Sequence, residues 1–397
     1  MNNITCIEDL RQLHRRRVPT AFFEYADRGS YAEETLRANR DDLQRIKFRQ
    51  RVLVDTSSRQ LSTEILGEKA SLPLILAPVG ATGMQYRDGE VLACRAAQEA
   101  GIPFTLSTMS ICSIEAVAEN VQGPFWFQMY MMRDRGFCKS LVDRALAARC
   151  SALVLTVDCQ LMGQRHADIR NGMAVPLRLN LRMIADVMSR PAWLAGVLRG
   201  KSRNFGNLVG HLPGARESMS IPGWLSAQFD TSLTWKDVEW LRSIWPGKLV
   251  LKGIQDVEDA RAAVNAGVDA LVVSNHGGRQ LDGAPSSISV LPYIADAVAS
   301  EIEIVFDGGI RSGQDLMRAL ARGASSCMIG RSYIYGLGAG GQRGVAKAID
   351  IIKKELSTTM GLCGITAVGQ IGSQVVARSD EGAIEQVEMR VPRSLRR

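Results

Sequence analysis

The chain has 397 residues, 46% of them hydrophobic, and eight cysteines of which none forms a Cys-x-x-Cys pair, which excludes a zinc ribbon or a c-type haem attachment and makes reduced, buried thiols the expected state. No run approaches the ~18 consecutive apolar residues of a spanning helix, and Met1–Leu10 carry no apolar signal core, so a reducing, cytoplasmic setting is expected. The net charge of +7 is concentrated between Asn171 and Arg216, where seven cations face the single acid Asp186; the remainder of the chain is close to neutral, and no nucleic-acid partner is expected.

In chain order, residues 1–70 read as helices and connectors. Eight short apolar or β-branched runs follow: Leu74–Ala77, Phe104–Ser107, Phe125–Gln128, Leu153–Val157, Leu249–Lys252, Ala270–Val273, Ile304–Phe306 and Ser326–Ile329. Between them the pattern predicts helices over Gly89–Ala100, Ile114–Asn120, Gly136–Arg149, Val257–Ala266 and Gly313–Arg322, several stopped by a glycine. Strand-loop-helix units repeated eight times predict a closed (β/α)8 TIM barrel over 71–372, with an N-terminal helical extension over 1–70. A doubly wound sheet has the same periodicity, but the first strand runs into Ala77-Pro78-Val79-Gly80 rather than a glycine-rich dinucleotide fingerprint. The long gap after the fourth strand marks an insertion at about 171–232, and 373–397 reads as a flexible tail.

In such barrels the chemistry gathers at the C-terminal strand ends. These carry Pro78, Ser107, Gln128 with Tyr130, Thr156 with Asp158, Lys252, Ser274 with His276, Asp307-Gly308-Gly309, and Gly330-Arg331. His276 is a base that titrates near neutrality, and Arg279, three residues on, offers a fork that matches a carboxylate; Gly277 and Gly278 loosen the turn between them. Base plus carboxylate clamp suits removal of a proton from a small hydroxy acid. Glycine beside arginine at both Gly308-Gly309-Ile310-Arg311 and Gly330-Arg331 suits a phosphate, although paired glycines can also simply start a helix. Lys252 needs an anionic partner if buried, a Schiff-base lysine being the rival reading. Asp158 can orient the imidazole, or merely cap a turn. No metal site is expected. His14 reads as a solvated helix residue, and His211 as an exposed one.

The run Ser274-Asn275-His276-Gly277-Gly278-Arg279-Gln280-Leu281-Asp282-Gly283 resembles the FMN-dependent α-hydroxy-acid oxidases and dehydrogenases. Supporting runs are Phe23–Ser30, Trp126–Tyr130, Thr156–Asp158, Gly163–Asp168 and Asp307–Arg311. The likeness covers about residues 5 to 370, and over the first strand's turn and Trp126–Met129 it is closest to membrane-associated L-lactate dehydrogenases. It implies FMN as cofactor and His276 as the base, oriented by Asp158. Tyr25, Arg165 and Arg279 would hold the substrate carboxylate, and Tyr130 its hydroxyl. Lys252 would stabilise the reduced ring. Ala77, Pro78, Val79, Ser107, Gln128, Thr156 and Ser274 would contact the isoalloxazine, and Asp307, Gly308, Gly309, Arg311, Gly330 and Arg331 the ribityl phosphate.

The reaction so implied is oxidation of an L-2-hydroxy acid, most simply L-lactate to pyruvate, with electrons passed to quinone. The cationic, apolar and tryptophan-bearing insertion fits a peripheral membrane contact, placing the protein on the cytoplasmic face of a bacterial inner membrane; the bland alternative is a solvated lid. Relatives often form tetramers. The rivals are a soluble oxidase using O2, a mandelate-type dehydrogenase, an FMN-dependent barrel isomerase, and a non-catalytic phosphate-binding barrel.

Overall fold

The computed structural model describes residues 3–172, 181–202, 204–208 and 228–377. Two short antiparallel strands, β1 (Thr63–Ile65) and β2 (Glu68–Ala70), precede eight parallel strands: β3 (Leu74–Leu76), β4 (Thr105–Ser107), β5 (Trp126–Tyr130), β6 (Ala152–Thr156), β7 (Lys248–Ile254), β8 (Ala270–Val273), β9 (Glu303–Asp307) and β10 (Ser326–Ile329). Each of the eight predicted runs is one of these strands. Neighbours pair in sequence from β4 to β10, β10 pairs with β3, and a parallel bridge from Leu76 to Phe104 brings the first strand back to the second. The sheet is therefore the expected (β/α)8 barrel, nearly closed.

Period-two alternation sorts the strand residues. Ile75, Trp126, Val154, Val250, Val272, Val305 and Met328 fill the barrel interior, while Leu76, Phe127, Leu153, Leu251, Leu271 and Phe306 pack outward in the main core. Ile65, Leu66 and Ala70 of the β1–β2 hairpin belong to the inner cluster and plug it. Three helices between the strands start where side chains cap them: Asp134 accepts from Phe137 N, Asp256 from Glu258 N, and Ser312 from Asp315 N.

The N-terminal extension supplies α1 (Ile7–Arg17), α2 (Thr20–Asp27) and α3 (Glu34–Arg45). His14 on α1 corrects the sequence reading. It is fully buried, bonded through Nε2 to Gln85 Oε1 at 2.8 Å, against Phe23 and the helix Arg331–Gly340. A Cβ at Gly338 would lie 2.0 Å from the His14 ring, so the missing side chain there is what lets the two helices meet. Residues 373–377, placed in the tail by sequence, are packed: Ser373–Val375 forms a 3-10 turn, Val375 is buried and Val376 bridges to Phe48. The rest of that tail lies outside the described residues.

In the insertion, Leu181–Met188 and Pro191–Arg199 are helices. Trp193 stacks on Phe22 and donates to Met84 O, and Asp186 accepts from Thr20 N, so this part leans on α2. Asn207 is fully buried against the strand ends, accepting from Ile114 N and donating to Ser107 O, Thr108 O and Ser110 Oγ. His211 lies outside the described residues.

Candidate active site at the barrel mouth

The strand-end residues converge. After β8 the backbone makes three successive left-handed steps, with φ of +58° at His276, +64° at Gly277 and +70° at Gly278. A non-glycine residue in this region is uncommon and is retained only where its surroundings hold it. Here the hold is tertiary. Asn275 Oδ1 accepts from Gly278 N, the Asn275 and Asn39 amides exchange hydrogen bonds at 2.8 and 2.9 Å, and Gly278 O accepts from Ser30 N. A Cβ at Gly278 would lie 2.5 Å from Leu36 N, so glycine is required for α3 to approach.

His276 Nδ1 stands 3.0 Å from Asp158 Oδ1, just past the end of β6. With Nδ1–H donated to the carboxylate, Nε2 carries the lone pair. Burial pulls the imidazole below its usual range, Asp158 opposes that, and Lys252 and Arg165 reinforce it, so the ring is neutral at pH 7. Burial works against ionisation of Asp158, yet His276 and Lys252 hold its carboxyl below the ordinary range. Lys252 ends in a closed triangle: Nζ to Ser274 Oγ, Nζ to Asp307 Oδ2 and Ser274 Oγ to Asp307 Oδ2, each 2.8 Å. Burial opposes its charge, but Asp307 and Asp158 more than offset that and keep the ammonium protonated. Its bonded partner is thus an anion, as a buried cation requires.

Arg165 and Arg279 repel each other and share the surroundings of Asp168. Arg165 also bears electrostatically on His276, so it stands near both the imidazole and the second guanidinium. Arg279 Nη1 donates to the carbonyls of Tyr25 and Arg28 at 2.7 Å, with the Tyr25 ring 5.2 Å below the guanidinium. Burial and the neighbouring Arg165 and Arg331 weaken its hold on the charge, an imbalance that a bound anion removes. Arg165 keeps a buried, unpartnered Nε and only a 4.0 Å approach to Asp168. Tyr130 lies against Phe229, and burial first, then Cys159, Asp158 and Tyr25, keep its hydroxyl protonated. Gln280, which the sequence reading passed over, donates to Asp158 O and Leu161 O and accepts from Gly163 N, tying the Asp158 loop to the His276 loop.

Some expected ligand residues have protein partners. The Arg331 guanidinium donates to the carbonyls of Ala26, Asp27, Arg28 and Gly277, at the first position of the helix Arg331–Gly340. Gly308 and Gly309 (φ +133° and +86°) have a packing reason, because a Cβ at Gly309 would lie 2.3 Å from Asn39 O. Arg311 donates to Ile310 O and lies over Tyr335. For a planar ligand, Gln128 is the telling residue: Oε1 accepts from Ser107 Oγ while Nε2 is buried with no partner, a donor awaiting an acceptor. This arrangement fits FMN.

A family model described as FMN-dependent dehydrogenase matches residues 14–378. An L-lactate dehydrogenase of Haemophilus influenzae (strain PittEE) is 49% identical over 369 residues, covering 93% of this chain and 97% of that protein. One of Ectopseudomonas mendocina (strain ymp) is 48% identical over 377 residues, covering 94% and 99%. Among solved structures, the monotopic membrane protein (S)-mandelate dehydrogenase superposes with a TM-score of 0.89 at 34% identity, covering 94% of this chain and 99% of that one. The geometry of the strand-end residues and the sequence likeness agree, and the chain belongs to the FMN-dependent α-hydroxy-acid dehydrogenase family.

Proposed function

We propose that the protein oxidises L-lactate to pyruvate, with His276 as the base and Arg165 and Arg279 as the carboxylate clamp. The observation that carries this is the neutral His276–Asp158 pair with Arg165 in electrostatic reach of both the imidazole and Arg279. Both arginines are half-buried, and among the described residues they have no carboxylate nearer than Asp168, 4.0 Å from Arg165. Bound FMN accepts the two electrons that leave the substrate. Arg165 and Arg279, helped by the Tyr25 hydroxyl, fix the carboxylate and so orient the carbinol carbon. Tyr130 holds the hydroxyl oxygen and, with Phe229, limits water. His276 Nε2 takes the proton, and Asp158 stabilises the imidazolium that results. The protonated Lys252 would favour negative charge on a reduced flavin held beside it. Ala77, Pro78, Val79, Ser107, Gln128, Thr156 and Ser274 would line the ring, and Asp307, Gly308, Gly309, Arg311, Gly330 and Arg331 would hold the phosphate end.

The proposal extends to quinone as electron acceptor, to peripheral attachment on the cytoplasmic face of the inner membrane through the 171–232 insertion, and to assembly as a homotetramer. Leu181, Ile184, Met188 and Leu198 leave apolar side chains exposed on the two insertion helices, which supports the membrane contact. Among the described residues no helix is long and apolar enough to cross a membrane.

The test is anaerobic bleaching of the flavin on mixing with L-lactate, D-lactate and (S)-mandelate. L-lactate should bleach fastest, and His276→Gln should slow bleaching by about 10²-fold or more while FMN stays bound. Parent-rate bleaching in that variant would remove His276 from its role. Faster bleaching by mandelate would replace the substrate.

A further inference from the structure

Asp158 Oδ1 has a second neighbour besides the imidazole. Cys159 Sγ lies 3.3 Å from Oδ1 and 3.4 Å from His276 Nδ1, and its side chain is buried. Asp158 Oδ2 is buried with no partner, so both donors converge on one oxygen. Burial, then the adjacent carboxylate, keeps the thiol protonated, which makes it an S–H donor and not a thiolate. The ligand atoms of the trio lie within 4.8 Å of one another, as metal ligands would. Lys252 and Arg165 bear on the same groups and oppose a divalent cation there.

We propose that Cys159 is a positioning residue: its S–H donates to Asp158 Oδ1, competes with the imidazole Nδ1–H for that oxygen, and so limits how tightly Asp158 holds the imidazolium. The charged and titratable groups around the pair are Lys252, Arg165, Tyr130 and the two partners themselves. Without the thiol, the carboxylate is left to the imidazole alone, becomes the stronger acceptor and favours the protonated ring. His276 would then titrate at higher pH, and at mildly acidic pH less of the enzyme would hold the free base. A thiol is a weak donor, so the shift is modest, about half a pH unit, which is about threefold in the fraction of free base below the midpoint.

The inference rests on His276 being the base. The experiment uses holoenzyme with 13C-labelled histidine; the chain's four histidines make the His276 resonance assignable by its loss in His276→Gln. Its titration is followed in parent, Cys159→Ala, Cys159→Val and Cys159→Ser, beside anaerobic flavin reduction from pH 5.5 to 9. The expected result is an alkaline shift of about half a unit in both Ala and Val variants. Reduction should slow by up to about threefold on the acid side of the His276 midpoint and converge with the parent above pH 8, and Ser, which keeps a donor, should restore the parent curve. An unmoved or acid-shifted titration in the folded Ala or Val variant overturns the role, as does a Ser variant that behaves like Ala. If His276→Gln reduces its flavin normally, the base assignment fails instead, and the NMR titration still reports whether the thiol controls the ring.

Discussion

Replacing Asn39 with alanine tests whether the N-terminal extension builds the active site. Asn39 is 1% exposed on α3 and touches none of the proposed substrate residues. Its amide donates to Asn275 Oδ1 at 2.8 Å and accepts from Asn275 Nδ2 at 2.9 Å and from Ser287 N at 3.1 Å. Truncation removes all three bonds. Asn275 keeps Gly278 N and Pro285 O as partners, while Ser287 N loses the bond it had. At about 1 kcal/mol per lost bond plus a small cavity, the expected destabilisation is about 2–4 kcal/mol. The same bonds brace the left-handed run at 276–278, so part of this loss appears in the placement of the imidazole. A displacement costing about 1.4 kcal/mol would slow flavin reduction about tenfold. The assays are denaturant unfolding and anaerobic stopped-flow reduction by L-lactate. Asn39→Asp should be worse than alanine, since it sets an acceptor against Asn275 Oδ1. If Asn39→Ala unfolds within about 0.5 kcal/mol of the parent and reduces its flavin within twofold, the brace is not what holds the loop.

Gly309→Ala forces a Cβ to 2.3 Å from Asn39 O at a φ of +86°, and should cost at least about 3 kcal/mol or prevent accumulation of folded protein, as read by melting temperature and soluble yield. Arg279→Lys loses the planar guanidinium, whose Nη1 alone serves the Tyr25 and Arg28 carbonyls and whose fork suits a carboxylate, so KM for L-lactate should rise about 10- to 100-fold with a smaller change in kcat. For His14, burial lowers the folded-state value from 6.5 to about 4, so the unfolded chain takes up a proton that the fold excludes, and stability declines as pH falls through that window by up to about 1.4 kcal/mol per unit. The difference in unfolding free energy between parent and His14→Gln at pH 7 and pH 4.5 measures it; a constant difference would show that His14 charges freely in the fold. Shortening the insertion over 181–199 should abolish binding to anionic vesicles while turnover with an artificial dye persists, and loss of both or neither would argue against a separate anchor.

Much of the architecture was legible because it is written locally. Each barrel strand is a short apolar run whose alternate residues must face interior and helices, and several intervening helices begin at a capping side chain or stop at a glycine. The strand ends follow from the same periodicity, which is why Asp158, Lys252, Ser274 and His276 could be placed together at one mouth. The resemblance through Ser274–Gly283 then supplied roles that residue types alone left open, such as Asp158 orienting a base rather than capping a turn.

What stayed hidden depends on segments far apart in the chain meeting at close range. His14 looks solvated among Arg15, Arg16 and Arg17 until Gly338 lets the helix Arg331–Gly340 press against it. Asn39 is an ordinary polar helix residue until α3 crosses the His276 turn, and the glycines at 278 and 309 are dictated by that crossing as much as by any ligand. Arg331 sits beside a glycine as a phosphate-binding arginine would, yet its guanidinium closes on four carbonyls, three of them from residues 26–28. Apolar periodicity and capping are properties of neighbouring residues, so the sequence alone determined the barrel and its polar rim. A hydrogen-bond partner is chosen by which surfaces the completed fold brings within 3 Å, and only the tertiary structure decided which rim side chains brace the loops and which remain free for substrate and cofactor.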